Sequence, residues 1–417
     1  MTSFRTFYRF SQRLAERHIM RRGCRALKQS KHQVEIGGLS LFKRGYVKRV
    51  FPGNNTPRGF FSYYDYILPK DSRRIFVIKG GPGVGKSTFM TSIAKHMVEL
   101  GYDVEIHHCS SDNNSIDGVV FPAIGVGIVD GTSPHVVDPK VPGAVDEIIW
   151  LGEFWDEEAV RANKKEILQA QKGIESVFRR AYRYLTAAQV VYEDWEAVNI
   201  EALDAGKANM RAQEIIERCF GEIPIAPKPG TERKLFASAI TPDGMVNYLN
   251  TIVALCKTRY VIQGDPGTGK SYLLEKVKRA ALERGFFTET YYCPMHPEKV
   301  EHVVVGELGL AFTKSIEPHT YIPGPADTIV DMNECRDEAV VTDHQVYADR
   351  ARDEYERLFN LAVFYISQAK QYHDAMERCY APNMDFAGID RLRERITQKI
   401  VGYAQEAEGS LAAENGR

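Results

Sequence analysis

A chain of 417 residues is too long for one hydrophobic core and suits two domains with further elements attached. Its composition is that of an ordinary globular protein, 44% apolar and 26% charged, and a formal net charge of −1 excludes a global electrostatic pull toward nucleic acid or membrane. Seven scattered cysteines without CxxC pairing argue for reduced thiols and a cytoplasmic setting, not a disulfide frame.

The charge is uneven along the chain. Residues 1–32 carry nine Lys/Arg and the single acid Glu16, a surplus of +8 that leaves −9 for the remainder. Arginine alternates there with Phe4, Phe7, Tyr8 and Phe10. Three readings stand open: a transit peptide, a helix that contacts a membrane surface or nucleic acid, or a segment translated upstream of a start at Met20. Contact with nucleic acid or a membrane surface is expected through this segment only. No secretory apolar core opens the chain, and the longest uncharged apolar stretch, GVVFPAIGVGIV at 118–129, is shorter than the ~18 residues of a membrane span.

A short strand is predicted at 74–79, followed by GGPGVGKS at 80–87 and a helix over 86–101, apolar at Phe89, Ile93, Met97 and Leu100 and ended by Gly101. Strands follow at DVEIHHC (103–109) and IGVGIVD (124–130), the latter apolar throughout, as a strand buried on both faces is. Helical spacing of Ile174, Val177, Ala181, Leu185, Ala188, Val191 and Trp195 then predicts an antiparallel helical hairpin within about 157–220. From there the pattern restarts. GDPGTGKS occupies 264–271, 184 positions after the first loop and behind a strand at 258–263, and a second helical stretch is expected at 338–408. An offset of 184–185 sets Phe51 on Phe236, Thr56–Pro57 on Thr241–Pro242, Cys109 on Cys293, and Pro134–His135 on Pro318–His319. The expectation is an α/β chain with a basic extension at 1–45 and two tandem P-loop NTPase domains at 46–232 and 233–417. Each domain is a parallel sheet flanked by helices and closed by a long C-terminal helical hairpin.

Both loops satisfy G-x-x-x-x-G-K-[ST]. Glycines let the backbone N–H groups turn inward around a β-phosphate, and the start of the helix adds partial positive charge at the same point. The expected nucleotide contacts are Gly80, Gly81, Pro82, Gly83, Val84, Gly85, Lys86, Ser87 and Thr88 in the first loop. In the second they are Gly264, Asp265, Pro266, Gly267, Thr268, Gly269, Lys270, Ser271 and Tyr272. Lys86 and Lys270 reach the β/γ-phosphates, and the Ser87 and Ser271 hydroxyls ligate Mg²⁺. Asp130, closing its apolar strand, is the expected second metal ligand; Asp112, in the polar run SSDNN (110–114), is expected to orient a water or an acceptor hydroxyl. Lys86, Asp112 and Asp130 are therefore the candidate catalytic residues.

The second copy has Lys314 in place of Asp130 and His296 in place of Asp112. Turnover is expected mainly at the first loop, with nucleotide binding and a regulatory role at the second. Gly131 follows Asp130, where many motor-type ATPases place a glutamate, which counts against a strong mechanical ATPase. ATP is the default nucleotide because no NKxD-like guanine reader occurs; NKKE at 163–166 is a poor match in a helical stretch.

His107, His108, Cys109 and His135, and likewise Cys293, His296, His302 and His319, match no structural zinc spacing. A buried cysteine at a strand end is expected in each copy, with His135 and His319 as candidates to line the sites. Arg179, Arg180 and Arg183 lie opposite the apolar helical stripe, either as a solvated face or as a phosphate-clamping set.

The two GxPGxGKS loops, the lead-in FPGNNTPRGF, YDVEIHHCSSDNNSIDGVV and DGTSPHVVDPKVPGAVDEI together resemble a bacterial group of double P-loop proteins described as ATPases or nucleotide kinases. The resemblance covers about 45–417 and implies the fold and ATP binding; it names no substrate. The function expected is Mg-ATP hydrolysis, with ATP and Mg²⁺ as cofactors and nucleotide at two sites. Two alternatives are a nucleotide or small-molecule kinase acting on an unknown acceptor, and a nucleotide-gated interaction protein with little turnover and an unknown protein partner.

Overall fold

The structure is a computed structural model that describes residues 33–36, 39–42, 44–69, 72–112, 114–133, 136–317 and 319–415. The basic segment 1–32, Pro134, His135 and Pro318 lie outside the described residues. Within the expected extension, β1 (Gln33–Ile36) and β2 (Leu39–Phe42) form a two-stranded hairpin.

The first half continues with β3 (Val47–Val50), β4 (Gly53–Thr56), β5 (Gly59–Ser62), β6 (Arg74–Lys79), α1 (Lys86–Glu99), β7 (Val104–His108), β8 (Ile116–Phe121), β9 (Val126–Asp130) and β10 (Asp146–Trp150). Helices α2 (Glu157–Ala162), α3 (Lys164–Ala202) and α4 (Ala205–Phe220) complete it. The second half runs β11 (Glu232–Leu235), β12 (Ser238–Thr241), β13 (Gly244–Asn247), α5 (Leu249–Val253), β14 (Thr258–Gln263), α6 (Lys270–Glu283), β15 (Thr288–Tyr292), β16 (Val300–Val305), β17 (Leu310–Lys314), β18 (Thr328–Asp331), α7 (Glu338–Tyr380) and α8 (Phe386–Asn415). Among the described residues, no helix is long and apolar enough to cross a membrane.

Two six-stranded sheets carry the fold, ordered β10-β6-β9-β8-β7-β3 and β18-β14-β17-β16-β15-β11. They have the same topology. In each, one strand (β8 or β16) runs antiparallel to its neighbours and the rest are parallel. The antiparallel strands and the edge strands β3, β10, β11 and β18 are not among the strands expected from periodicity. GVVF and GIV form one unbroken apolar run, and only the turn at Pro122–Ile124, with Gly125 at φ +65°, separates β8 from β9.

The halves join edge to edge. Phe51 N–H donates to the Phe236 carbonyl at 2.9 Å and Phe236 N–H returns the bond to Phe51 at 3.0 Å. Beside this bridge four charged side chains from β3, β7, β11 and β15 form a closed set. Lys48 Nζ lies 2.9 Å from Glu105 and 2.7 Å from Glu289; Arg233 lies 3.1 Å from Glu289 and also binds Glu105. Burial alone would raise the Glu105 carboxyl, but Arg233 and Lys48 outweigh it and hold the group well below its ordinary value. His107, fully buried, adds its Nε2 at 2.8 Å from Glu105.

The expected hairpins do not form. Instead α3, of 39 residues, and α7, of 43, pack antiparallel on each other across the two halves. Tyr184 stacks on Tyr365 with centroids 5.4 Å apart, Tyr192 meets Tyr355 at 5.2 Å, and Arg336 donates to Asn199 at 2.8 Å. At ~1.5 Å per residue α3 spans about 58 Å, enough to carry the chain from one sheet to the far side of the other. The helices that follow are exchanged. Ala208, Ala212, Ile215 and Phe220 of α4 belong to the core of the second sheet with Leu273, Leu274 and Val277 of α6. Ile389, Leu392, Ile396 and Ile400 of α8 complete the core of the first sheet with Phe89, Met90, Ile93 and Met97 of α1. Matched backbone bonds fix both crossovers: Asp156 N–H to Asn383 O and Asp337 N–H to Ala202 O, each 2.8 Å. Segments 46–232 and 233–417 therefore do not close on themselves. Each half's apolar helical stripe is buried by the other, a choice that helical periodicity within one segment cannot reveal.

Substitution in an exchanged helix is expected to loosen the opposite half. Ile396→Ala should cost about 2–5 kcal/mol and speed amide exchange in α1 more than in α6, while Ile215→Ala does the reverse. Hydrogen-exchange mass spectrometry on both variants checks this; loosening confined to the half that carries the mutation would contradict the exchange.

Candidate functional site: two glycine loops

Each glycine loop connects a buried strand to a long helix: β6 to α1, and β14 to α6. The turn requires left-handed backbone at Gly83 (φ +70°) and Gly85 (φ +85°) in the first, and at Gly267 (φ +88°) and Gly269 (φ +83°) in the second. Glycine has a further use here. A Cβ on Gly83 would sit 3.0 Å from Glu377 Cα on α7, and one on Gly267 would sit 2.3 Å from the Glu196 carbonyl oxygen on α3. The C-terminal end of each long helix thus lies directly against the glycine loop of the other half.

At the first loop, Lys86 Nζ donates to the carbonyls of Gly80 (3.3 Å) and Gly81 (2.7 Å) and lies 3.6 Å from Asp130 Oδ2. Asp130 is brought there by the pairing of β9 with β6, which sets it opposite Ile78. It also accepts the Thr132 N–H at 2.9 Å, and Thr132 Oγ1 donates to Gly80 O at 3.0 Å, so the segment after β9 is tied to the loop. Ser87 Oγ accepts the Ile116 N–H at 3.2 Å, drawing the segment that carries Asp112 to the start of α1. Asp112 accepts from Ser115 Oγ at 3.2 Å and is met by Lys370 Nζ of α7, also at 3.2 Å. Lys86, Ser87, Asp130 and the Asp112 segment therefore converge on one loop. The sequence held no signal for Lys370, because it arrives from the opposite half.

The second loop has the same framework and different chemistry. Lys270 Nζ donates to Gly264 O at 2.7 Å, to Asp265 O, and to Thr268 Oγ1 at 3.3 Å. Lys314 occupies the register position of Asp130, opposite Ile262, and is buried. Glu301 Oε1 holds it at 3.0 Å and also lies 2.8 Å from His319 Nε2. Glu301 and its first-half counterpart Asp117, which accepts the Tyr64 hydroxyl at 2.6 Å, are buried acids that the motif reading passed over, although an offset of 184 relates them too. Asp265, one of the expected nucleotide contacts, is paired with Arg336 at 2.5 Å. Lys270, Ser271, Tyr272, Lys299 and Lys314 line a cavity of about 170 Å³ whose opposite wall is Tyr192, Glu196 and Ile200 of α3.

Other candidates fall elsewhere. His107 sits against Glu105 of the charge set between the halves, and His108 packs 4.4 Å from Tyr248. Cys109 and Cys293 are buried at strand ends, and burial pushes the Cys293 thiol up to about 12. Gln189 meets His296 at 3.1 Å, and Arg179, Arg180 and Arg183 are exposed, with Arg180 6.0 Å above the Tyr365 ring. His373, Asp374 and Glu377 bring three ligand atoms within 4.8 Å. Asp374 there is engaged by Lys370 at 3.0 Å and His373 lies 3.7 Å from Glu377, contacts between neighbouring side chains of one helix.

Comparison of the chain with protein-family models, with curated proteins and with solved structures gives no match.

Burial, with Lys314 next, pushes the Lys270 ammonium from 10.5 down to about 7. Between those values the unfolded chain holds a proton that the folded protein has shed, so stability should rise with pH across this window and show no such slope below it. Urea unfolding in phosphate-free buffer, wild type against Lys270→Met, should give a difference that grows from about pH 7 to 10. A pH-independent difference would contradict it.

Proposed function

We propose that the chain is a double P-loop protein of the kind its motifs resemble, binding nucleotide at both loops and hydrolysing Mg-ATP mainly at the first. The observation that carries this is the pairing of Lys86 with Asp130 at the mouth of a glycine loop that opens a helix. An ammonium, a carboxylate, a hydroxyl and inward backbone N–H groups at one helix start suit a phosphate chain with its counter-ion.

The donor set at the first loop fits a hard divalent cation: Asp130 and Ser87 offer oxygen only. They would hold Mg²⁺, which supplies positive charge against the phosphates when bound. Lys86 Nζ, now on the Gly80 and Gly81 carbonyls, turns from them to the transferring phosphate. Asp112 orients the attacking water, and Lys370 positions Asp112 from the other half. The α7 end packed against Gly83 limits the approach of bulk water from that side. Product analysis separates this reading from a kinase: ADP with free phosphate, against ADP with a phosphorylated acceptor.

Lys86→Ala should lower steady-state phosphate release by about 10²-fold or more, with the fold intact by circular dichroism. Lys270→Ala should leave most turnover and remove one equivalent of bound nucleotide. Equal loss of turnover in the two variants, with binding at the first loop unchanged, would make the second loop catalytic.

A further inference from the structure

The second loop raises a separate question, whether it takes a metal at all. In its cavity the Ser271 hydroxyl and the Glu196 carboxylate are the metal-type oxygens, and Glu196 is already taken by Lys299. The position that carries Asp130 in the first half carries Lys314, and the carboxylates around the loop are engaged: Asp265 with Arg336 at 2.5 Å, Glu196 with Lys299 at 2.7 Å, and the fully buried Glu301 with Lys314 at 3.0 Å and His319 at 2.8 Å. The residues present do not fit Mg²⁺, and the expectation of Ser271 as a metal ligand is revised accordingly.

They fit an anion. Lys270, Lys299 and Lys314 line one cavity, and its single carboxylate, Glu196, is paired with Lys299 at 2.7 Å. Lys270, only 5% exposed, has its Nζ on loop oxygens at Gly264, Asp265 and Thr268. The volume of about 170 Å³ lies below the ~300 Å³ at which pockets begin to enclose drug-sized molecules, so a phosphate chain fits and a base and ribose would lie outside.

We propose that the second loop binds a di- or triphosphate group without a divalent metal ion, Lys314 and Lys299 supplying the charge that a metal supplies at the first loop. The proposal rests on reading both loops as phosphate cradles. The group is either free diphosphate or the tail of a nucleotide, and α3 closes over it from the other half.

The test is isothermal titration of the full chain carrying Lys86→Ala, with ATP and with inorganic pyrophosphate, in EDTA and in Mg²⁺. One equivalent is expected to bind in EDTA, and Mg²⁺ should not strengthen it. Adding Lys314→Met should weaken binding in EDTA by about tenfold or more. If that variant does not fold, Lys299→Ala, on a partly exposed side chain, is expected to weaken it in the same direction. Binding of both ligands assigns the tail of a nucleotide; binding of pyrophosphate alone assigns the free diphosphate. Binding that appears only with Mg²⁺ overturns the proposal and leaves the phosphate reading standing. Failure of both ligands in both buffers, in the native chain as well, overturns the phosphate reading itself.

Discussion

Where the two halves meet, Lys48, Arg233 and Glu289, each largely covered, close around the buried carboxylate of Glu105. Desolvating an ion costs several kcal/mol, and removing one member of a buried pair typically costs about 3–5 kcal/mol because its partner is left uncompensated. The set is closed only when each cation reaches both carboxylates, which requires β3–β7 of one half and β11–β15 of the other to stand in one register. The reciprocal Phe51–Phe236 bridge beside it imposes the same register through the backbone. In the same body the long helices α3 and α7 cross between the halves, and the helices that follow them complete the core of the opposite sheet.

The exchange of helices makes the core of each unit depend on the other. Each glycine loop is built by its own half and roofed by the other, through Glu377 against Gly83 and Glu196 against Gly267. A ligand that moves one loop acts on the long helix of the opposite half, and α3 and α7 are packed side by side along their length. The two loops have meanwhile diverged in charge. The first keeps Asp130 beside Lys86, whereas the second sets Lys314 beside Lys270 and confines its acid, Glu301, beneath them. On the functional reading proposed above, one framework would present a site for a metal with its phosphates and a site for phosphates alone.

Much of this was legible from residues. The glycine loops, the strands before them and the helices after them follow from motif and periodicity, and the Asp130–Lys314 contrast follows from the internal repeat. In the structure these two residues share one register position, opposite Ile78 and Ile262. Strand β8 escaped because it merges with the next apolar run across a short turn, and its counterpart β16 escaped with it. The helical hairpins were misassigned for a physical reason: an apolar stripe such as Ala181, Leu185 and Ala188 states that a face is buried and not which helix buries it. Lys370 and Glu196 reach their sites from the other half, so no local motif points to them.

The measurement that tests the account most directly is a crystal structure of the full chain grown with Mg²⁺ and a non-hydrolysable ATP analogue. The account predicts phosphate density in both loops, the long helix of the opposite half against each, and a metal ion only at the first, between Ser87 and Asp130. Phosphate-free loops in crystals that hold the analogue elsewhere, or a metal ion beside Lys314 in the second loop, would contradict it.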